Sequence, residues 1–237
     1  MPFESLLRKG LAGMQLQLEE HAISQLLRYH ALLMQSNQTL NLTSIDDDAD
    51  AVSRHYLDSL SPLQYEGLLP HGATVIDVGS GAGFPGLPLA IARPDLQVLL
   101  LDSLQKRIHF LQNVTLSLEL DYVATLHARA EDAGRNSAYR DKYSIAVSRA
   151  VGALPTLAEY CLPFVQPGGS FLAYKGLGIA DELQQAEHAI SLLGGGKVTV
   201  LNANVPGLEH TLAVIEKIAP TPQQYPRKAG TPSKQPL

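Results

Sequence analysis

The sequence predicts an α/β fold in which five parallel strands are followed by an antiparallel hairpin, with a helical extension in front. Three observations support this prediction. From residue 72 onward, apolar strand-like runs alternate with helical stretches, as in βαβ units. A turn with glycine at every second position follows the first apolar run. Near the end, two apolar runs are joined only by PGLE, which is too short for a crossover helix, so these strands must be antiparallel.

Residues 1–70 are predicted to be helical. After residue 20, side chains recur at helical spacing and form one face, made of Ile23, Leu26, Leu27, His30, Leu33 and Met34. A second, shorter helix is expected to end near Pro62. Its apolar positions are Val52, Tyr56, Leu57 and Leu60.

The remaining elements follow the alternation. The parallel strands are predicted at 74–79, 97–102, 122–127, 143–149 and 170–175, and the hairpin strands at 197–205 and 210–218. The helices are predicted at 86–92, 104–118, 153–164 and 179–193. The first four strands are rich in Val, Ile and Leu on both faces, which suits strands covered by helices on both sides. We therefore expect a helical extension (1–70), a sheet domain (71–219) and a basic, extended tail (220–237).

Composition limits the function classes. A chain of 237 residues that is 45% hydrophobic can form one sizeable core. The single cysteine, Cys161, excludes an internal disulfide framework, and no apolar run reaches 18 residues, so we expect a soluble, cytoplasmic protein without membrane spans. The net charge of -5 argues against non-specific coating of nucleic acid but leaves room for a local basic patch.

The glycine turn indicates the kind of ligand. Gly79, Gly81 and Gly83 let a ligand approach the backbone closely, but the third glycine of a dinucleotide-binding GxGxxG turn would fall at Phe84, which disfavours an NAD-dependent dehydrogenase. Asp102 ends the second strand and could accept hydrogen bonds from both ribose hydroxyls. A nucleoside that carries an amino-acid group, such as S-adenosylmethionine, fits both features. The alternative is that the glycines only make a tight strand-to-helix connection.

These motifs resemble class I S-adenosylmethionine-dependent methyltransferases, which have a Rossmann-like sheet with a reversed last strand. More narrowly, the chain resembles the RsmG (GidB) family, bacterial enzymes that methylate N7 of a guanine in 16S ribosomal RNA. The matching stretches are NLTSI (41–45), RHYLDSL (54–60), VIDVGSGAGFPGLPLAIARPD (75–95), LLDSLQKRIHFL (100–111), VSRAV (147–151) and YPRKAGTPSKQPL (225–237).

The resemblance implies a cofactor site that contains Gly79, Phe84, Ala130, Glu131 and Arg149. To these we add Asp77, Gly81 and Asp102 from the glycine turn and the second strand. All lie near the C-terminal ends of predicted strands, where open α/β sheets bind ligands. For Glu131, the alternative is an acid that only favours the start of a helix.

The chemistry expected at the site needs few groups. Cys161 lies in an apolar helical context and is expected to be a buried core thiol, which argues against methylation of a base carbon through a cysteine nucleophile. Residues 148–151 stand where adenine-amine methyltransferases have a [DN]PP[YF] segment, which argues against methylation of an exocyclic amine. Guanine N7 already has an in-plane lone pair, so positioning can supply much of the rate enhancement without a general base.

The catalytic candidates are Arg54, His55, Arg149 and Lys175. Each cation has a structural alternative: an Arg54–Asp58 helix ion pair, a surface ion pair of Arg149, and a solvated strand end at Lys175. The RNA-binding candidates are Arg227, Lys228 and Lys234 in the tail, for which the alternative is a merely solvated, disordered segment.

We expect 16S ribosomal RNA or the small ribosomal subunit as the partner, and we expect the protein to be a monomer. We expect no metal site, because the histidines lack the spacing of metal ligands. Two other functions stay open: a small-molecule or protein methyltransferase, which the acidic net charge favours, and a non-catalytic ribosome-assembly factor. Asp102→Ala should abolish methylation but spare ribosome association if the protein only binds RNA. Deletion of residues 220–237 should weaken RNA binding and spare cofactor binding.

Overall fold

The structure is a computed structural model that describes residues 1–149, 152–176 and 178–237. The last two residues of the VSRAV stretch therefore lie outside the described residues. Across the described chain, no helix combines the length and apolarity that a membrane crossing requires.

The N-terminal helices are present. They are α1 (Phe3–Gly13), α2 (Glu20–Leu40), α3 (Asp48–Ala51) and α4 (Asp58–Leu60), with a π-helical turn (Val52–Leu57) between α3 and α4 and a 3₁₀ turn (Ser61–Gln64) at the end. Pro62 lies in this last turn, where a helix was predicted to stop. On α2, Ile23, Leu26, His30 and Leu33 are buried as expected, whereas Leu27 and Met34 are only half-buried.

The strands form one sheet, which has seven members among the described residues. They are β1 (Thr74–Val78), β2 (Gln97–Asp102), β3 (Val123–His127), β4 (Tyr143–Arg149), β5 (Val165–Lys175), β6 (Gly195–Asn202) and β7 (Thr211–Lys217). Their order is β3-β2-β1-β4-β5-β7-β6. The first five strands run parallel, and β7 pairs antiparallel with both β5 and β6. The predicted fold class is confirmed.

The helices after the first strand cover the sheet. They are α5 (Gly86–Ala92), α6 (Gln105–Ser117), α7 (Ala130–Arg135), α8 (Leu154–Cys161), α9 (Ile179–Leu192) and α10 (Thr231–Lys234). The sequence predicted four of these. It missed α7 and α10, because helices of six and four residues are too short to show a helical period.

Several strands differ from the prediction. β6 runs over Gly195–Asn202 rather than 197–205, and β1, β3 and β7 each differ by one residue at one or both ends. β5 begins at Val165 rather than at 170, because the register with β4 shifts between Tyr143 and Ile145 and the strand tolerates Pro167 and two glycines at this irregularity. β3 is an edge strand in which Val123 is the one buried residue. The expectation of burial on both faces was therefore wrong for β3.

Apolar side chains pack on both faces of the sheet. One cluster joins the N-terminal helices to α5, α6 and the strands, from Phe3 to Val214. The other packs α8 and α9 against the opposite face, around Phe164 and Phe171. Cys161 belongs to this second cluster as a free, fully buried cysteine, and burial raises the pKa of its thiol, which confirms the predicted core role.

Candidate active site

The glycine turn after β1 has a backbone that only glycine adopts easily. Gly79, Gly81 and Gly83 have φ values of 78°, 59° and 110°. The backbone N–H groups of Gly79 and Ser80 donate to the Leu101 carbonyl oxygen at 2.8 and 3.0 Å. These bonds hold the turn against the end of β2 and leave the glycine backbone facing the cavity described below.

The third glycine of the turn serves packing. A Cβ on Gly83 would lie 2.5 Å from Leu87 Cδ1 and 2.8 Å from the Tyr29 hydroxyl. That hydroxyl, which is fully buried on α2, donates to the Ala82 carbonyl oxygen at 2.6 Å. The N-terminal helical region therefore holds the glycine turn from outside the sheet.

Asp102 fixes the same turn from β2. Its Oδ2 accepts the Gly81 N–H at 2.9 Å, its Oδ1 accepts the Leu104 N–H at 2.8 Å, and Arg107 Nη1 lies 3.3 Å from Oδ2. The side chain is buried yet borders two cavities. Because each carboxylate oxygen can accept two hydrogen bonds, one acceptor position, on Oδ1, remains for a ligand, and the expectation that Asp102 accepts from both ribose hydroxyls does not fit these partners.

Asp77 lies beneath the turn and borders neither cavity. Its carboxylate is completely buried, and Oδ2 accepts the Gly86 N–H at the start of α5 at 2.9 Å. Oδ1 has no hydrogen-bond partner among the described residues. Burial raises the pKa of Asp77 to about 7. The arrangement suits a residue that positions the turn from behind.

A cavity of about 720 Å³ opens beside the glycine turn at the C-terminal ends of β1, β2, β4 and β5. It is bordered by all four catalytic candidates, namely Arg54, His55, Arg149 and Lys175. Gly79, Gly81, Phe84 and Asp102 from the predicted cofactor set also line it. The fold thus gathers residues that are separated by more than 100 positions in the chain.

Phe84 forms the aromatic floor of this cavity. Its ring stacks on the His55 ring, with 4.5 Å between centroids and 15° between planes, and the Arg149 guanidinium carbon lies 5.3 Å from the Phe84 centroid. Arg149 Nη2 is 3.3 Å from His55 Nδ1, which must accept because a guanidinium only donates. His55 Nε2 then carries the proton and donates to Thr43 Oγ1 at 2.8 Å.

The protonation state of His55 agrees with these partners. Burial and, next, the Arg149 guanidinium lower the pKa of His55 to about 4. The ring is therefore neutral at physiological pH. It presents a flat, uncharged surface rather than a second cation at the cavity wall.

Asp58 anchors the cationic wall of the cavity. It is buried, with Oδ2 accepting from Arg149 Nη1 at 3.0 Å and Oδ1 accepting from His210 Nδ1 at 3.1 Å. The alternative of an Arg54–Asp58 ion pair was wrong, because the π-helical turn disrupts the i,i+4 alignment and Arg54 instead approaches Asp50 at 3.4 Å.

Lys175 lies at the end of β5 with its side chain 9% exposed. Its Nζ donates to the Gly152 carbonyl oxygen at 2.8 Å and to Glu182 Oε2 at 2.6 Å. The alternative of a solvated strand end was therefore wrong. Lys175 thus borders the cavity with its ammonium group held by these two partners.

A second, smaller cavity of about 210 Å³ adjoins the first. The two share Gly79, Asp102 and Ser103, and the smaller one adds Ala130 and Glu131 from the start of α7. Its outer side is formed by Tyr160 of α8 and by Gly230 and Ser233 from the C-terminal segment.

The predicted RNA-binding residues differ in their surroundings. Arg227 pairs with Glu159, with Nη2 2.6 Å from Oε2, and the Arg227 side chain is 25% exposed. Lys228 and Lys234 are exposed at the surface, and Lys234 ends α10. Within the described residues, no cluster of His, Cys, Asp or Glu is arranged to hold a metal ion.

The two adjoining cavities fit S-adenosylmethionine. The larger one offers a side-chain-free glycine backbone, Asp102 lies between the two, and the smaller one offers the Glu131 carboxylate. Open backbone, a carboxylate for ribose hydroxyls and an acid near a nucleobase are the groups that such a cofactor needs.

Solved structures share this architecture. A predicted O-methyltransferase from Agrobacterium tumefaciens superposes with a TM-score of 0.54 at 14% identity, covering 70% of this chain and 81% of that chain. The fibrillarin pre-rRNA processing protein of Methanococcus jannaschii gives 0.53 at 13% identity, covering 67% and 74%. Identities this low show the fold alone. Fold and site together define a class I S-adenosylmethionine-dependent methyltransferase.

Sequence relatives then identify the family. Ribosomal RNA small subunit methyltransferase G of Alkaliphilus oremlandii is 47% identical across 100% of both chains. The protein of the same name from Acetivibrio thermocellus is 43% identical across 100% of this chain and 98% of its own. The family described as GidB, rRNA small subunit methyltransferase G, matches residues 22–210. The chain belongs to the rRNA small subunit methyltransferase G family.

Sequence reasoning missed several residues of the site. They are Thr43, Tyr160, Glu182, His210 and Gly230. Thr43 lies within the NLTSI stretch that matched the family, so the signal was available there. Gly230 likewise lies within the YPRKAGTPSKQPL stretch. The other three depend on contacts between distant segments, and no local pattern marks them.

Proposed function

We propose that this chain transfers the methyl group of S-adenosylmethionine to N7 of a guanine in 16S ribosomal RNA. The observation that supports this most directly is the larger cavity, in which the glycine turn and Asp102 meet an aromatic floor and a cationic wall. The cavity is open enough for a nucleobase that has left its stack, and single-stranded or looped RNA presents such bases. We further propose that the chain acts as a monomer in the cytoplasm.

The cofactor supplies an activated methyl group on a sulfonium centre. In our proposal, Gly79 and Gly81 face the amino-acid end and Asp102 accepts a hydrogen bond from one ribose hydroxyl through Oδ1. Ala130 and Glu131 hold the adenine end in the smaller cavity. Asp77 acts from behind the turn, through the Gly86 N–H that it accepts. The task of these residues is orientation, which can supply a large part of the rate enhancement.

The guanine site requires no proton acceptor, because N7 attacks with an existing lone pair. In our proposal, Arg149, which Asp58 holds, donates to guanine O6, which lies beside N7 on the same base edge. Because the His55 ring is neutral, it does not repel the positively charged methylated guanine. Asp58, buried behind Arg149, offers negative charge as the ring becomes cationic.

Cationic side chains at the edge of the cavity and on the C-terminal segment suit the RNA backbone. Arg54 at the mouth and Lys228 and Lys234 on the C-terminal segment are exposed cations. Lys175 lies at the inner edge of the cavity, where a phosphate or base oxygen of the substrate would meet its ammonium group. Each neutralised phosphate releases counterions, so binding should weaken as salt rises.

The test uses small-subunit particles from a strain that lacks this protein. Purified protein and labelled S-adenosylmethionine are added, and the labelled site is mapped by strand cleavage specific for N7-methylguanine. We expect label in 16S ribosomal RNA and cleavage at one new guanine. Label in protein or small molecules, with none in RNA, would favour the other methyltransferase classes. Cofactor binding without any transfer would favour an assembly factor.

A further inference from the structure

The segment after β7, residues 221–226, lies against Arg140 and against Arg135 of α7. The Arg140 guanidinium donates to the carbonyl oxygens of Thr221, Pro222 and Tyr225, the last at 2.8 Å, and Arg135 Nε donates to the Pro226 carbonyl oxygen at 2.6 Å. These bonds fix residues 221–226 along α7. A segment held this way brings its following residues to the cofactor end of the sheet.

The next residue forms the strongest attachment. Arg227 donates its backbone N–H and its guanidinium Nε to Glu159 Oε1 at 2.6 and 2.9 Å, and its Nη2 to Oε2 at 2.6 Å. The Glu159 carboxylate on α8 is completely buried. Removing one partner of a buried ion pair leaves an uncompensated charge, so this pair resists separation. A guanidinium neutralised by a buried carboxylate is also a poor ligand for phosphate.

Beyond this pair the chain reaches the smaller cavity. Gly230 donates its backbone N–H to Glu131 Oε1 at 2.7 Å. Gly230 and Ser233 both border the cavity, as Ala130 and Glu131 do. Pro232 is buried, and its carbonyl oxygen accepts from Thr156 Oγ1 at 3.2 Å. The outer wall of the cavity is thus built from the C-terminal segment.

We propose that residues 227–234 are a clasp over the adenine end of the cofactor site, and that the Arg227–Glu159 pair holds this clasp in place. The proposal rests on the proposed function, because it assigns the smaller cavity to the adenosine part of S-adenosylmethionine. Arg227 is then a positioning residue, and Gly230 and Ser233 border the cofactor itself. Lys228 and Lys234 are exposed and do not border the smaller cavity.

The test measures dissociation constants for S-adenosylmethionine and adenosine by calorimetry on the full chain. Ser233→Trp places a large ring at an exposed position that borders the cavity, and Arg227→Gln releases the clasp. We expect each to weaken both ligands at least about tenfold. The matched controls Lys234→Trp and Lys228→Gln change neighbouring exposed residues, and we expect cofactor affinity within about twofold of the original protein.

The outcomes separate this inference from the proposed function. If the unchanged protein binds no S-adenosylmethionine, both fail. If it binds the cofactor and methylates 16S ribosomal RNA, while Ser233→Trp binds both ligands normally, the clasp alone is wrong. Equal losses in Ser233→Trp and Lys234→Trp would also overturn it.

A second measurement avoids substitutions, since Arg227→Gln could fail to fold. Backbone amide hydrogen exchange is followed in the unchanged protein with and without S-adenosylmethionine. We expect the cofactor to slow exchange at residues 227–234 as strongly as at the glycine turn. Protection confined to the turn would overturn the clasp.

Discussion

Asp58 and Arg149 are joined by an ion pair, with 3.0 Å between Oδ2 and Nη1, that connects the N-terminal helical region to the end of β4. Asp58 is 1% exposed and the Arg149 side chain 13% exposed. The wall of the larger cavity therefore consists of two chain segments that are 91 residues apart. The geometry of this wall therefore depends on the strength of the Asp58–Arg149 ion pair.

The first prediction concerns this pair. Asp58→Asn leaves the buried Arg149 without its counter-charge, so we expect the free energy of unfolding to fall by about 3 kcal/mol and methyl transfer to be largely lost. A double-mutant cycle with Arg149→Gln measures the coupling, which should be about 1–3 kcal/mol. Additive effects of the two substitutions would contradict the pair. Asp50→Asn, at the exposed Arg54 pair, serves as the control and should change stability little.

The second prediction compares two glycines of one turn. Both Gly81 and Gly83 have positive φ, but a Cβ on Gly81 meets only the Gly79 carbonyl oxygen, at 4.0 Å, whereas on Gly83 it would collide with Leu87 and Tyr29. Gly81→Ala should cost about 1 kcal/mol of stability and chiefly reduce cofactor affinity. Gly83→Ala should destabilise the fold by about 2 kcal/mol or more. Chemical denaturation and calorimetry measure the two effects, and the reverse ranking in stability would contradict the geometry.

The third prediction uses the pH dependence of stability. The pKa of Asp77 is raised by burial to about 7 in the folded protein, so its ionisation costs stability as the pH rises from about 4 to about 7. Asp77→Asn removes that cost. The stability difference between Asp77→Asn and the unchanged protein should therefore shift in favour of the variant by roughly 3 kcal/mol between pH 5 and pH 8. Urea denaturation at the two pH values measures it, and a difference that does not change with pH would show that the carboxyl group titrates normally.

The fourth prediction concerns His55. Its pKa in the folded protein is about 4, below that of an exposed imidazole, so folding loses stability from this group as the pH falls from about 6.5 to 4. Nuclear magnetic resonance of the imidazole, assigned by its absence in His55→Gln, should show no titration above pH 5. Methyl transfer should accordingly show no inflection from His55 between pH 5 and 8. A titration midpoint near 6.5 would contradict the prediction, because it would show that burial and Arg149 do not lower the pKa of His55.

The parts of the fold with a regular period were predictable from the sequence. β2 and β4 have the predicted bounds, because a short continuous apolar run bounded by turn residues specifies a strand locally. The glycine turn and Asp102 were also predictable, since both lie at strand ends, and parallel strands bring those ends together.

The contacts between distant segments were not predictable. The π-helical turn moves Asp58 away from Arg54 and toward Arg149, and nothing in RHYLDSL signals an extra residue in the turn. Arg227 has the composition of a basic tail, yet it pairs with a buried glutamate 68 positions earlier. In both cases the partner is selected by tertiary packing, which outweighs local preference.

The Tyr29–Ala82 hydrogen bond also bears on how the chain folds. It lies inside an apolar cluster that reaches from Phe3, on α1, to Val214, on β7. Side chains that belong to one hydrophobic core are exposed to water together when it unfolds. The helices before residue 70 and the sheet should therefore unfold in one cooperative transition, with a single peak in calorimetry. The fragment that starts at β1 would expose the apolar side of α5 and α6 to water, and on its own it would aggregate rather than bind the cofactor.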